Sequence, residues 1–167
     1  MQVRAATRSD ADAVRRVQEE SWRAAYAHVF PAEHLAADFV DADYWRRTID
    51  VPPPGWTLLV AGDPVVGFAC VGPSRDEDAV GELYALYVRP DAWSTGAGRA
   101  LIERAEERLA REYDEATLWV LEANPRARRF YGRAGWRADG ARKQYERWGV
   151  AAPEIRYRKR LRAHAGG

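Results

Sequence analysis

The stretch from residue 82 to residue 109 constrains the fold most, because it combines a strand, a glycine turn and a helix. Its first part, Glu-Leu-Tyr-Ala-Leu-Tyr-Val, is rich in aromatic and aliphatic residues typical of strands, and Pro90 then removes a backbone donor. Charged residues separate the apolar positions of its last part, which indicates an amphipathic helix. Those apolar positions are Leu101, Ile102, Ala105 and Leu109.

The turn between strand and helix, Trp93-Ser-Thr-Gly96-Ala-Gly98-Arg99, consists mainly of small residues. Free backbone N–H groups and the positive end of the helix dipole make such a turn an anion site, most naturally for phosphate. A P-loop requires Lys after its last glycine, and a dinucleotide fingerprint requires a third glycine where the sequence has Leu101. Neither motif fits, and the alternative is a turn that binds no ligand.

The composition describes one globular domain. Of its 167 residues, 47% are apolar and 31% are charged, and the net charge of +1 argues against a protein built around nucleic-acid binding. Half of the 26 Lys and Arg residues nevertheless lie between residues 126 and 162. They indicate either the solvated faces of a helix and strands or a surface that attracts a polyanionic cofactor.

The cysteine and histidine content predicts neither a disulfide nor a metal. Cys70 is the single cysteine, which fits a reducing cytoplasm, and its place in an apolar strand favours a small buried residue over a nucleophile. His28, His34 and His164 lack the spacing of zinc ligands. Without an apolar signal region or a membrane-length run, the chain is expected to be cytoplasmic with no membrane partner.

Periodicity and turn residues predict an alternation of strands and helices along the chain. Strands are expected over residues 2–7, 56–61, 65–71, 82–88, 116–121, 136–148 and 154–161. Helices are expected after Ser9 and Asp10, over 31–39, 41–49 and the stretch after Gly98, and from Asn124 onward. Trp22 and Tyr26 lie four apart on the first helix, so they either pack in the core or line an acceptor pocket.

A second block, Asn124-x-x-Ala127-x-x-Phe130-Tyr131-x-x-x-Gly-Trp136, follows the glycine turn. The two blocks in this order resemble the GNAT superfamily of N-acetyltransferases, whose pyrophosphate loop reads Gln/Arg-x-x-Gly-x-Gly/Ala after a strand. The two glycines of the turn match that loop, whereas a tryptophan, residue 93, stands where the family usually has Gln or Arg. The resemblance covers residues 82–136, the expected cofactor-binding core of a single domain over 1–167.

The resemblance implies an α/β (α+β) fold with a mixed, bent sheet of six or seven strands and helices on both faces. It implies that acetyl-CoA lies where the parallel strands 82–88 and 116–121 splay apart, held by backbone groups and by Arg99, with Arg128 or Arg129 as further cations. The implied cofactor-binding residues are Leu86, Tyr87, Val88, Ser94, Thr95, Gly96, Ala97, Gly98, Arg99, Ala100, Asn124, Ala127 and Tyr131.

The resemblance also implies direct transfer from thioester to amine. An alkyl amine has a pKa near that of Lys and must lose a proton before it attacks. Glu82 is the expected base, acting through water, because it lies on the strand beside the expected acetyl position. The alternative for Glu82 is an exposed charge at the start of a strand. Tyr131 matches the phenol that protonates the departing thiolate, and a backbone N–H near residues 86–88 is expected to stabilise the oxyanion.

The expected function is therefore acetyl-CoA-dependent acetylation of a primary amine, carried by a small molecule. One alternative is a CoA-binding module without catalysis, and another is an acetyltransferase that acts on a protein N-terminus or a Lys side chain. The final strands, taken as apolar, are expected to suit the edge of a homodimer.

Overall fold

The computed structural model of the chain describes residues 1–36, 39–76 and 78–161. The strands are β1 (Val3–Ala5), β2 (Thr57–Ala61), β3 (Gly67–Pro73), β4 (Gly81–Val88), β5 (Glu115–Leu121), β6 (Arg137–Arg147) and β7 (Val150–Arg160). The helices are α1 (Ala11–Tyr26), α2 (Ala32–Ala36), α3 (Tyr44–Asp50), α4 (Ala97–Ala110) and α5 (Pro125–Arg133). The prediction of a helix over 31–39 extends into residues outside those described, and His164 also lies outside them.

Across the described ranges, the strands form one seven-stranded sheet in the order β1-β2-β3-β4-β5-β7-β6. The pairing of β4 with β5 is parallel, and the other neighbours are antiparallel. Parallel neighbours need a crossover, which α4 supplies. The mixed sheet and the single α+β domain expected from the sequence are therefore confirmed.

Strand β4 carries the irregularity that opens the sheet. Cys70 of β3 pairs with Ala85, whereas the next residue of β3 pairs with Leu83, so Tyr84 is an extra residue in a β-bulge. The register between β4 and β5 runs from Gly81 to Leu83 and goes no further in the described residues. Beyond the bulge the two strands separate, as the sequence predicted.

Helices cover both faces of this sheet because alternate residues of the strands point to opposite sides. On one face, Leu101 of α4 is completely buried in a cluster with Ala69 and Leu83. On the other face, Val14 of α1 packs in a cluster with Phe68. Complete burial of one such aliphatic side chain stabilises the fold by roughly 1.5–3 kcal/mol, so the two faces fix β4 between α1 and α4.

The end of the chain differs from the sequence prediction in two ways. Strand β7 begins at Val150 rather than residue 154, because a hairpin through Trp148 and Gly149, both with positive φ, pairs Gln144 with Pro153. Strand β6 is an edge strand of mostly exposed, polar residues. The expectation of an apolar final edge was wrong for β6, because its charged residues face solvent.

Candidate functional site

The gap between β4 and β5 leads into a cavity of about 1340 Å³. It is bordered by the ends of both strands, by α1, and by the starts of α4 and α5. Most residues that the sequence proposed for a site line it, namely Trp22, Tyr26, Leu86, Tyr87, Val88, Ser94, Gly96, Gly98, Arg99, Asn124, Ala127 and Tyr131. The described lining residues do not include Glu82, Thr95, Ala97 or Ala100.

The glycine turn is open at Gly96 and closely packed at Gly98. Gly96 caps α4 with φ of +93°, and no atom lies within 4 Å of the position that a Cβ would take. At Gly98 a Cβ would approach the ring of Phe130 to 3.1 Å, so glycine lets α5 come close to the start of α4. The first N–H groups of a helix have no partner within it, and Gly96 and Gly98 at this helix start line the cavity.

Two other residues of the turn make contacts within the protein, Thr95, which is exposed, and Ala97, which is buried. The Thr95 hydroxyl donates a hydrogen bond to the carbonyl of Ala92 at 2.6 Å. The side chain of Ala97 is 1% exposed and packs in the core below the sheet. Their side chains therefore hold the turn in shape.

Trp93 and Arg126 form a stacked pair beside the turn. The indole Nε1 of Trp93 donates to the carbonyl of Val88 at 2.8 Å, which fixes the ring at the end of β4. The guanidinium carbon of Arg126 lies 3.5 Å from the centroid of that ring. Burial lowers the pKa of Arg126, and the neighbouring Arg129 lowers it further. The Arg126 cation thus lies over the ring of Trp93, the residue that stands where the GNAT loop usually has Gln or Arg.

The sequence analysis missed Arg126 and favoured three other arginines. Arg99 pairs with Glu103 at 3.0 Å and is mostly exposed, although it lines the cavity. Arg128 turns away and donates to the Tyr157 hydroxyl at 3.3 Å. The signal that could have identified Arg126 is its place in the sequence, because it directly follows Pro125 at the start of α5.

Asn124 connects the start of α5 to α1. Its side-chain oxygen accepts a hydrogen bond from the N–H of Ala127 at 3.1 Å and so caps the helix, as the sequence predicted. Burial raises the pKa of the Tyr26 phenol well above its ordinary value, with Tyr87 adding to the rise and the Asn124 side chain opposing it. The Asn124 amide therefore faces the cavity and the Tyr26 hydroxyl.

Tyr131 lies on α5 with only 8% of its surface exposed. Burial raises the pKa of its phenol above the ordinary value, and Tyr87 contributes to the same shift. Tyr131 is thus protonated at neutral pH and able to donate a proton or a hydrogen bond into the cavity that it lines.

Glu82 is completely buried, so the alternative of an exposed charge was wrong. Its carboxylate accepts hydrogen bonds from the backbone N–H of Arg75 at 2.8 Å and from the guanidinium at 2.6 and 3.0 Å. These bonds account for its burial. Its role as a base stays a prediction.

A second carboxylate, Glu154 of β7, lines the cavity and was not singled out by the sequence analysis. Its side chain is 13% exposed, and its nearest cation is Lys143 at 3.8 Å. Burial raises the pKa of Glu154 above its ordinary value. Its enclosure depends on residues distant in sequence, such as Arg75 and Glu82, which interact with it electrostatically.

A cluster of aromatic rings packs behind Trp22, which lines the cavity beside α1. Trp22 is 6% exposed and stacks on Phe30 at 5.7 Å between centroids, and Trp148 meets Phe30 edge-on at 5.4 Å. The guanidinium of Arg147 lies 4.5 Å from the Trp148 ring. Trp22 and Tyr26 are both buried core aromatics and cavity-lining residues, and their contact with the acceptor stays a prediction.

Cys70 also borders the cavity, but its thiol is 2% exposed. Burial raises the pKa of this thiol to about 12. Because the thiolate is the nucleophilic form, the thiol is unreactive at neutral pH, in agreement with a small buried residue.

Two wider searches were restricted to the described parts of the chain. Within them, no three His, Cys, Asp or Glu side chains are grouped so as to hold a metal ion. None of the described helices has the length and apolar character needed to cross a bilayer.

Comparisons with known sequences indicate one protein family. The model of the acetyltransferase (GNAT) family matches residues 12–136. The uncharacterized N-acetyltransferase YuaI of Bacillus subtilis is 33% identical over 132 residues, which cover 74% of this chain and 73% of that protein. A mycothiol acetyltransferase of Beutenbergia cavernae is 43% identical over 132 residues, which cover 77% of this chain but 44% of that protein.

Solved structures share the fold at lower identity. A ribosomal-protein-alanine N-acetyltransferase from Brucella melitensis has a TM-score of 0.76 at 22% identity, covering 96% of this chain and 99% of that one. The yncA acetyltransferase of Salmonella typhimurium, solved with acetyl-CoA, has a TM-score of 0.72 at 20% identity and covers 100% and 97% of the two chains. At these identities the likeness concerns the fold.

Proposed function

Because the chain belongs to the GNAT family of acetyltransferases and is an N-acetyltransferase, we propose that it transfers the acetyl group of acetyl-CoA directly to a primary amine of a small molecule. One observation carries the proposal. The glycine turn, the opening between β4 and β5 and the phenol of Tyr131 border a single cavity. Acetyl-CoA has a diphosphate toward one end and a thioester at the other, which matches a cavity bordered by the glycine turn, the strand opening and Tyr131.

The diphosphate end is proposed at the start of α4. The N–H groups around Gly96 and Gly98 supply donors to phosphate oxygens, and the helix dipole favours their negative charge. Arg126 and Arg129 repel each other across a partly buried space, and a diphosphate there neutralises both. Arg99 lies near enough to exchange Glu103 for a phosphate. The backbone of Leu86 to Val88, freed by the strand opening, is available to the pantetheine arm.

The thioester end is proposed beside Tyr131. As the amine attacks and the carbon–sulfur bond breaks, the phenol of Tyr131 donates its proton to the sulfur. A backbone N–H near Val88 stabilises the oxyanion of the tetrahedral intermediate. Cys70, with a pKa of about 12, has a thiolate fraction of about 10⁻⁵ at pH 7, so an acetyl-cysteine intermediate is not part of the scheme.

The enclosed aromatic end of the cavity favours a small acceptor. Trp22, Phe39 and Tyr145 line this part of the cavity, and the Phe39 and Tyr145 ring centroids each lie 6.0 Å from that of Trp22. Among similar proteins, the mycothiol acetyltransferase has a small-molecule name and the ribosomal-protein-alanine N-acetyltransferase a protein one. An acceptor on a protein N-terminus or Lys is therefore the second candidate.

Thiol release from acetyl-CoA, measured against small amines and against peptides with a free N-terminus or Lys, tests the proposal. We expect amine-dependent thiol release to be faster with a small amine than with any peptide. Calorimetry of CoA binding accompanies the assay. CoA binding without amine-dependent thiol would instead support a non-catalytic binding module, and preference for a peptide would support the protein acceptor.

A further inference from the structure

Glu154 occupies a central place in the sheet. It lies opposite Leu121 of β5 and opposite Lys143 of β6, so it stands beside the strand that borders the opening. Its neighbour Ile155 points into the core under α4, and Glu154 therefore points to the face covered by α1. That face contains the cavity.

In the part of the chain that the structure describes, the fully buried carboxylates are held by arginine, whereas the partly buried Glu154 is not. Asp10 accepts a hydrogen bond from Arg4 at 2.7 Å, and Glu82 accepts one from Arg75 at 2.6 Å. Among the described residues, Glu154 has no hydrogen-bond donor to its side chain, although only 13% of that side chain is exposed. Because Glu154 lines the cavity, a ligand that enters the cavity can supply such a donor.

The charged and titratable groups around Glu154 come from several elements. They are Lys143 of β6, Arg75 before β4, Glu82 and Tyr87 of β4, and Tyr26 of α1. Burial raises the pKa of Glu154, Lys143 and Arg75 oppose the rise, and Glu82 adds to it. Tyr26 interacts electrostatically with both Glu154 and Tyr131, so the carboxylate and the proposed acid face the same space.

The cavity offers one alternative carboxylate. Among the described residues that line it, the side-chain carboxylates are those of Asp41 and Glu154. Asp41 is exposed and bound to Arg47 at 2.7 Å, and this hydrogen bond lowers its pKa. Asp41 is therefore already satisfied and a poor proton acceptor, whereas Glu154 has only the longer contact with Lys143 at 3.8 Å.

We propose that Glu154 binds the ammonium form of the acceptor and takes the proton that it loses before attack. This assignment rests on the proposed function and gives Glu154 the part that the sequence analysis gave to Glu82. An ammonium group restores the missing donors of the carboxylate, and the surrounding aromatic rings suit the carbon skeleton that carries it.

The step balances without a further reagent. The ammonium nitrogen gives one proton to the Glu154 carboxylate, and its freed electron pair forms the bond to the acetyl carbon. As the intermediate collapses, the carbon–sulfur electron pair leaves with sulfur, which takes the proton of Tyr131. The second proton lost by nitrogen restores the phenol, and Glu154 releases its proton to solvent.

The test compares the pH profiles of kcat/KM for the amine in wild-type enzyme, Glu154→Gln and Lys143→Met. Glu154→Gln should lower kcat/KM about 100-fold or more at neutral pH and replace the acidic limb set by the carboxylate with one at the pKa of the amine, with CoA affinity unchanged. At high pH, and with an acceptor analogue whose amine is already neutral, kcat/KM of Glu154→Gln should approach that of the wild-type enzyme, because no base is needed in either case. Lys143→Met should keep activity and move the acidic limb to higher pH, since the lost cation favoured the carboxylate.

Glu122→Gln is the matched control, because Glu122 pairs with Arg142 at 2.8 Å outside the cavity and its loss should change neither rate nor profile. A wild-type profile in Glu154→Gln, or the same replacement of the acidic limb in Glu82→Gln instead, overturns the assignment. Equal losses in Glu154→Gln and Lys143→Met at every pH indicate a structural ion pair and also overturn it. A wild-type enzyme without amine-dependent thiol release overturns the proposed function and this assignment together.

Discussion

At the scale of single residues, Trp93 shows how a departure from a family pattern is compensated in space. The side chain that stands in place of Gln or Arg cannot offer a charge, but its ring supports the guanidinium of Arg126 at 3.5 Å. Stacking of this kind is worth about 0.5–2 kcal/mol and orients the cation without an acidic partner. The cation remains available to an anionic ligand, which an Arg–carboxylate pair at the same place is not.

Replacement of Tyr131 by Phe removes one hydroxyl and keeps the ring that packs in the core. We expect kcat to fall by about 100-fold or more, because one acid group is lost, while the Kd of CoA stays unchanged. Thiol-release kinetics and calorimetry on the same preparation measure the two quantities. Tyr113→Phe, which alters a partly buried phenol outside the cavity, is the control. Wild-type kcat in Tyr131→Phe would exclude the phenol from the reaction.

At the scale of elements, the bulge at Tyr84 and the start of α5 build the site together. The bulge separates β4 from β5 after Leu83, and the space so opened is bordered by the first turn of α5. Asn124 serves both sides of this junction. Its oxygen caps α5, and its amide faces Tyr26 and the cavity.

Two substitutions of Asn124 separate these roles. Asn124→Ala removes both oxygen and amide, and we expect it to lower the free energy of unfolding by about 1 kcal/mol and to weaken CoA binding. Asn124→Asp keeps the capping oxygen but loses the donor, so stability should be retained while the Kd of CoA rises roughly 2- to 10-fold. Urea unfolding and calorimetry distinguish the two effects. Equal CoA affinity in Asn124→Asp and wild type would leave Asn124 with the capping role alone.

Much of the structure at the scale of helices, strands and turns could be predicted from the sequence, because the signals that determine these elements are local. The glycine turn, the Asn124 cap and the strand before Pro90 each depend on neighbouring residues, and the structure has them where they were expected. Glu154 and Arg126 could not be found in this way. The enclosure of Glu154 depends on residues distant in sequence, and the stack on Trp93 joins the starts of two helices.

At the scale of the whole molecule, the surplus of basic residues after residue 126 divides into two groups. Arg156 and Arg158 share Asp139, at 2.7 and 3.3 Å, on the side of the sheet away from the glycine turn. Arg126, Arg129 and Arg133 border the cavity instead. Arg156 and Arg158 are held in ion pairs, and attraction of a polyanionic cofactor by the arginines at the cavity stays a prediction, although a net charge of +1 conceals a local positive field there.

That local field makes the affinity for CoA depend on salt in a way that a single variant can reveal. Screening acts over about 10 Å at 0.1 M salt, so the wild-type Kd of CoA should rise with ionic strength, whereas that of acetyl-pantetheine, which lacks the diphosphate, should not. Arg126→Ala should raise the Kd of CoA about 10-fold and flatten its salt dependence, because one charged hydrogen-bonding group is lost. Arg104→Ala removes an exposed arginine paired with Glu107 at 3.2 Å on α4 and should leave both unchanged. Identical salt slopes in Arg126→Ala and wild type would mean that the stacked guanidinium does not meet the cofactor phosphates, and the anion site would then rest on the backbone of the glycine turn alone.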